Sequence, residues 1–125
     1  MEGYKVTIKE TSREFSARER IMLKDTSNAI KLDQAVTPDT PVVIEPDAYA
    51  VLSIHNEKSD NVDYEVYIIL DTAGNKYMTG SGSFWESFLE IWSEMLSEEE
   101  SYQIEARKIE SKNYKGKHFL SCSII

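Results

Sequence analysis

The sequence predicts a mainly β protein: a five-stranded barrel with one α-helix between strands three and four. Three observations predict it. Apolar residues recur at every second position in several separate segments, the signature of half-buried strands. One stretch only, Phe84 to Leu96, changes to spacings of three and four, as a helix requires. Polar breaks containing Gly, Pro, Asn and Asp divide the segments. At 125 residues the chain reads as a single domain, 1–125, long enough to bury a core.

Tyr4 to Lys9 alternates with Tyr4, Val6 and Ile8 inward and predicts the first strand. Ser16-Ala17-Arg18-Glu19 has the form of a capping box, which would open a short helix. The alternation from Arg18 onward competes with it, and the reading favours a strand over Arg20–Lys24 that extends the first one. Ala29 to Leu32 offers a short pairing segment. Thr37-Pro38-Asp39-Thr40-Pro41 is a loop, and Glu45-Pro46-Asp47 is a second break. Tyr49 to His55 follows as a strand, with Ala50, Leu52 and Ile54 on its core face and Tyr49, Val51, Ser53 and His55 on the other. Tyr64 to Leu70 is the third strong strand, with Val66, Ile68 and Leu70 inward. A turn at Ala73-Gly74-Asn75 leads to a return strand, Lys76–Thr79.

The helix is expected from Ser83 to Met95. Ser83-Phe84-Trp85-Glu86 resembles a second capping box. Phe84, Trp85, Phe88, Leu89, Trp92, Met95 and Leu96 form its apolar stripe, opposite Glu86, Glu90 and Glu94. Glu98 to Glu100 would oppose the helix dipole, so they are placed in the loop beyond. Two last strands, Tyr102–Ile109 and Phe119–Ile124, are joined by a polar connection.

Charge is unevenly distributed. The formal net charge is −8, which weighs against a nucleic-acid binder. Yet residues 101–125 hold five Lys/Arg against two Asp/Glu, whereas 83–100 hold six Asp/Glu and no Lys/Arg. Local potential governs binding, since screening acts over about 10 Å at ordinary salt. An acidic chain can therefore carry a basic groove. The single cysteine, Cys122, excludes an internal disulfide framework and a cysteine-rich metal site. Its neighbours Leu120 and Ile124 share its face, so a buried thiol is expected. No apolar run approaches a membrane span, and the first residues do not resemble a signal peptide. These features predict a cytoplasmic protein.

Two candidate sites emerge. In the last hairpin, Lys112, Lys115 and Lys117 surround Tyr114, with Arg107 at the approach. Single-stranded nucleic acid needs that combination: cations displace counterions from phosphates, and a ring stacks on a base. A solvated turn whose lysines discourage edge pairing is the alternative. The second candidate is an outward sheet face carrying Tyr49, Tyr67 and His55 near Lys5, Lys9, Arg20 and Lys24. Its alternative is ordinary amphipathic surface. His55 and His118 lack companions for a metal site or a nucleophile relay, and Gly80-Ser81-Gly82-Ser83 lacks a phosphate-loop ending. No catalytic residue, metal or cofactor is expected.

The order of three strands, a helix and two strands is that of an OB barrel, which binds single strands by stacking and phosphate contacts. Several phrases also resemble a known family: Tyr4-Lys5-Val6-Thr7-Ile8-Lys9, Arg20-Ile21-Met22-Leu23-Lys24-Asp25, Ser53-Ile54-His55-Asn56-Glu57 and Ser111-Lys112-Asn113-Tyr114-Lys115-Gly116-Lys117. They look like small single-stranded DNA-binding proteins of phages and mobile elements in Gram-positive bacteria. The resemblance implies an OB-type fold and a role in phage or mobile-element DNA replication or recombination. Phe119 to Ile125 reads as a strand, so the acidic recruiting tail of familiar bacterial single-strand binders is not expected.

The combined expectation is a non-enzymatic binder of single-stranded DNA in the bacterial cytoplasm. Tyr114, Tyr67 and Tyr49 would stack, and Lys112, Lys115, Lys117, Arg107 and Arg20 would meet phosphates. A second copy of the chain and a host or phage replication protein are further candidate partners. The rival reading is an acidic inhibitor, with Glu86, Glu90, Glu94 and Glu98 to Glu100 imitating DNA phosphates toward a host DNA-binding protein.

Overall fold

Residues 3–110 and 118–125 are described in the computed structural model. Their elements, in chain order, are β1 (Tyr4–Thr11), α1 (Ala17–Lys24), β2 (Ile30–Lys31), α2 (Leu32–Ala35), β3 (Val42–Ile44), β4 (Pro46–Asn56), β5 (Asp63–Asp71), β6 (Lys76–Thr79), α3 (Gly82–Met95), β7 (Ile104–Glu110) and β8 (His118–Ile124). Strand accounts for 46% and helix for 22% of the described residues, so the protein is mainly β. The strands form two open sheets, ordered β1-β4-β5-β6-β2 and β3-β7-β8.

The expected five-stranded barrel is therefore corrected: the sheets are open. A barrel closes only when its end strands pair with each other. Here β1 and β2 end one sheet, and β3 and β8 end the other. Three helices also stand, among the described residues, where one was expected.

The fold divides into two compact units whose segments interleave along the chain: 1–30 with 47–80, and 31–46 with 81–125. In the first, Ala48, Ala50, Leu52 and Ile54 of β4 join Val66 and Ile68 of β5 in one buried cluster with Phe15 and Leu23. Val6 and Ile8 of β1 pack against it. β1 pairs antiparallel with β4, Lys5 opposite His55, and a bulge interrupts the ladder between Ile8 and Glu10. β5 pairs antiparallel with β6. The intervening turn uses Gly74 at φ 91°, a conformation that costs glycine no steric clash.

Residues Arg20–Lys24 are the second correction: they are the end of α1, not a strand. Ser16 Oγ accepts from the Glu19 amide at 3.2 Å, while Glu19 Oε1 accepts from the Ser16 amide at 2.9 Å. This reciprocal box satisfies two helix-end groups together, which a strand would leave open. Leu23 is the helix's one buried side chain, so the usual apolar stripe that marks a helix is missing.

In the second unit, Phe84, Trp85 and Phe88 are buried on α3, which packs against β8. Trp85 and Phe88 stack with centroids 4.9 Å apart. Fully burying a Phe-sized side chain contributes about 1.5–3 kcal/mol, which ties this helix down. Its cap is Ser81, whose hydroxyl accepts from the Phe84 amide, so the helix begins before the expected Ser83. Ile44, Ile104, Ala106 and Leu120 are buried in the three-stranded sheet. Cys122 is half-buried rather than fully enclosed, and Ile124 is 48% exposed. No described helix is long and apolar enough to cross a membrane.

Candidate nucleic-acid interface

Strand alternation decides which side chains of β7 and β8 face outward. With Ile104, Ala106 and Leu120 buried, the opposite phase carries Glu105, Arg107 and Ile109 on β7 and Phe119, Ser121 and Ser123 on β8. The register places Ile109 opposite Phe119 and Arg107 opposite Ser121. Ile109 and Phe119 are both 45% exposed, and Val43 of β3, opposite Glu105, is also exposed. The result is a mixed outer face, with the exposed Ile109 and Phe119 at one end and the Arg107 guanidinium one step along.

Arg107 is not an isolated cation, because its Nε is ion-paired with Glu105 on the same strand. Lys108 points the other way and donates to the Asp33 carbonyl at 2.6 Å. A cavity of about 180 Å³ lies beside them, lined by Thr37, Pro38, Asp39, Pro41, Arg107 and Ile109. The remaining members of the expected hairpin site, Lys112, Tyr114, Lys115 and Lys117, lie outside the described residues.

Phe119 and Ile109 are exposed apolar residues of this candidate face that the sequence analysis did not single out. The signal for Phe119 was present: it is out of phase with Leu120 and Cys122, so it must point away from the buried side of β8.

The second expected site, on the larger sheet, is organised differently. Tyr49, His55 and Tyr67 do share the face of Lys5 and Lys9, the side opposite the buried cluster. Tyr49 and Tyr67 are both half-buried there, and burial pushes the Tyr49 phenol up. Lys9 is paired with Glu65 at 2.9 Å. His55 sits between two carboxylates, with Nδ1 2.8 Å from Asp63 and Nε2 3.6 Å from Glu57. The hydrogen bond to Asp63 is the main cause that raises its pKa. This face is thus matched charge against charge, which leaves less of its positive potential for phosphates.

Arg20 and Lys24 do not belong to that face, since they are on α1. Arg20 donates through Nη1 to the Phe15 carbonyl at 2.7 Å, a bond that anchors the start of the helix. Arg13 covers the Phe15 ring, its guanidinium carbon 4.2 Å from the centroid. The structure therefore brings Tyr49 and Tyr67 to one sheet face and puts Arg20 on α1 and Arg107 on β7.

Burial pushes the Cys122 thiol up to about 12, which disfavours the thiolate that nucleophilic chemistry needs. Among the described residues, no group of three His, Cys, Asp or Glu side chains is placed to hold a metal ion. Comparison of the chain with protein-family models, curated proteins and solved structures yields no match.

Proposed function

We propose that the protein binds single-stranded DNA, using the outer face of the β3-β7-β8 sheet. The observation that carries this reading is the exposed Ile109–Phe119 pair with Arg107 on the same face. A base needs a flat apolar partner, and its phosphate needs a nearby cation. Residues 111–117 join Glu110 to His118 and bring Lys112, Tyr114, Lys115 and Lys117 into the same stretch of sequence. In this reading they extend the site, and Tyr67 and Tyr49 belong to a separate candidate surface on the other unit. The order of long strands, α3 and the β7–β8 hairpin supports an opened variant of the OB plan. The resemblance to phage and mobile-element single-strand binders points to a role in replication or recombination, with no chemical step.

Fluorescence anisotropy of labelled oligo-dT at two salt concentrations tests the proposal. Binding should exceed that of duplex DNA and weaken as salt rises, because phosphate contacts release counterions. Absence of binding to oligo-dT rejects it.

One observation favours the inhibitor reading in that event. Glu86, Glu90 and Glu94 are exposed at one-turn intervals along α3 and form no ion pair with another described residue. Such a row could imitate phosphates toward a host DNA-binding protein. Co-purification with that class of protein, lost on charge reversal of the three residues, is its test.

A further inference from the structure

At the C-terminal end of α3 the second unit holds a recess of about 150 Å³. Trp92, Met95, Tyr102 and Pro46 give it aromatic and apolar walls, and the carboxylates of Glu98 and Glu100 also line it. Local sequence builds it. Trp92 and Met95 are one helical turn apart on the apolar stripe of α3. Phe88, wholly buried, supports Trp92 with ring centroids 5.9 Å apart and planes tilted by 41°. The Glu98 amide donates to the Met95 carbonyl at 3.0 Å, closing a turn where the helix stops.

The charge around this recess has one sign. Residues 83–100 contain six Glu and no Lys or Arg. The last turn of α3 has no basic residue, and its terminal carbonyls add partial negative charge. Lys76 lines one other recess, and Arg107 and Lys108 line another, whereas no described Lys, Arg or His lines this one. Glu98 and Glu100 are exposed and form no ion pair with another described residue.

Carboxylates alone would accept any cation, so the walls decide the class. Aromatic faces attract cations through their negative potential, Trp most strongly. Burial pushes the Tyr102 phenol up, which keeps that ring neutral. Apolar walls reward a guest that brings alkyl surface, and a void of roughly 150 Å³ takes one the size of benzene. We propose that the recess binds a small alkylated ammonium ion. Its alkyl groups rest against Trp92, Met95 and Tyr102, and Glu98 and Glu100 counter its charge. The exposed Ile109–Phe119 pair stands about 16 Å along β7 from Ile104, where that strand begins. The site therefore does not depend on the DNA-binding reading.

Tetramethylammonium chloride is the probe, titrated into the whole chain and followed at its two tryptophan indole N–H resonances by NMR. The Trp92 resonance should shift and saturate, with half-saturation at about 1–10 mM, an affinity within reach of so small a ligand. The buried Trp85 resonance should move little. Sodium chloride at equal concentration and tert-butanol, a neutral molecule of similar shape, should leave Trp92 in place. Glu98→Gln combined with Glu100→Gln should weaken binding several-fold without changing thermal unfolding, since both residues are exposed. Tyr102→Leu, read at Trp92, should weaken it roughly fivefold. A shift that does not saturate, or that sodium chloride or tert-butanol reproduces, overturns the proposal, as does parental affinity in the double Glu variant.

Discussion

The Lys76 ammonium lies 2.6 Å from the Met22 carbonyl oxygen and 2.6 Å from that of Asp25. A cation from β6 thus closes the C-terminal end of α1, where unpaired carbonyls gather partial negative charge. Desolvation lowers the pKa of Lys76, opposed by the nearby Asp25 charge. Lys76→Met retains the apolar stem and removes those bonds. It should destabilise the fold by about 1–2 kcal/mol, the usual size for bonds to a charged group that stays partly solvated. Urea unfolding followed by circular dichroism measures this, and an unchanged midpoint contradicts it.

At the other end of α1, Ser16→Ala deletes the hydroxyl that accepts from Glu19. Loss of an N-cap costs about 1 kcal/mol. The midpoint of thermal unfolding should fall by a few degrees, and Ser16→Asp should restore most of it. Equal loss in both variants would show that the cap hydroxyl is irrelevant.

His55 sets a pH dependence whose sign follows from its raised pKa, caused chiefly by the hydrogen bond to Asp63. Its folded form binds a proton more tightly than its unfolded form. The stabilisation is therefore complete below the ordinary value of 6.5 and is lost as pH rises through the higher folded pKa. The difference in stability between the parent and His55→Gln should be larger at pH 5.5 than at pH 8.5. A titration of the His55 ring followed by NMR should give a midpoint above 6.5.

For DNA binding, the ring and the charges separate. Phe119→Ala should weaken oligo-dT binding roughly tenfold, since stacking contributes about 1–3 kcal/mol per base, and leave the salt slope unchanged. Tyr114→Ala should behave alike. Lys115→Ala should also weaken binding but reduce the slope by roughly 0.7, the value for one lost phosphate contact on a single strand. Full affinity in both Phe119→Ala and Tyr114→Ala excludes this hairpin as the stacking surface.

Local pattern located most of the elements. β6 has the bounds the alternation indicated, and β1, β4, β5, α3, β7 and β8 fall within a few residues of theirs. Each of these segments has a face apolar enough to declare its period. α1 hid because burying Leu23 alone requires no stripe, so the alternation around Arg20 suggested a strand. Its capping box was the better guide, since that pattern acts locally and does not depend on burial. β3, with three residues between two proline-containing breaks, is too short to display any period.

By itself the sequence determined which side chains share a face, because alternation along a strand is a property of the backbone. It thereby determined that Phe119 opposes Leu120 and that Val66 and Ile68 point together. Only the tertiary structure decided which faces are covered. Val51 and Ile69 lie opposite the first unit's core cluster, yet are 3% and 1% exposed, whereas Ile109 and Phe119 remain open. It also decided how the cations are used, since Arg20 is committed to Phe15 and Lys9 to Glu65 by residues distant in sequence or by a turn no periodicity reveals. Coverage and pairing arise from contacts between segments, and a one-dimensional pattern specifies the segments without specifying their neighbours.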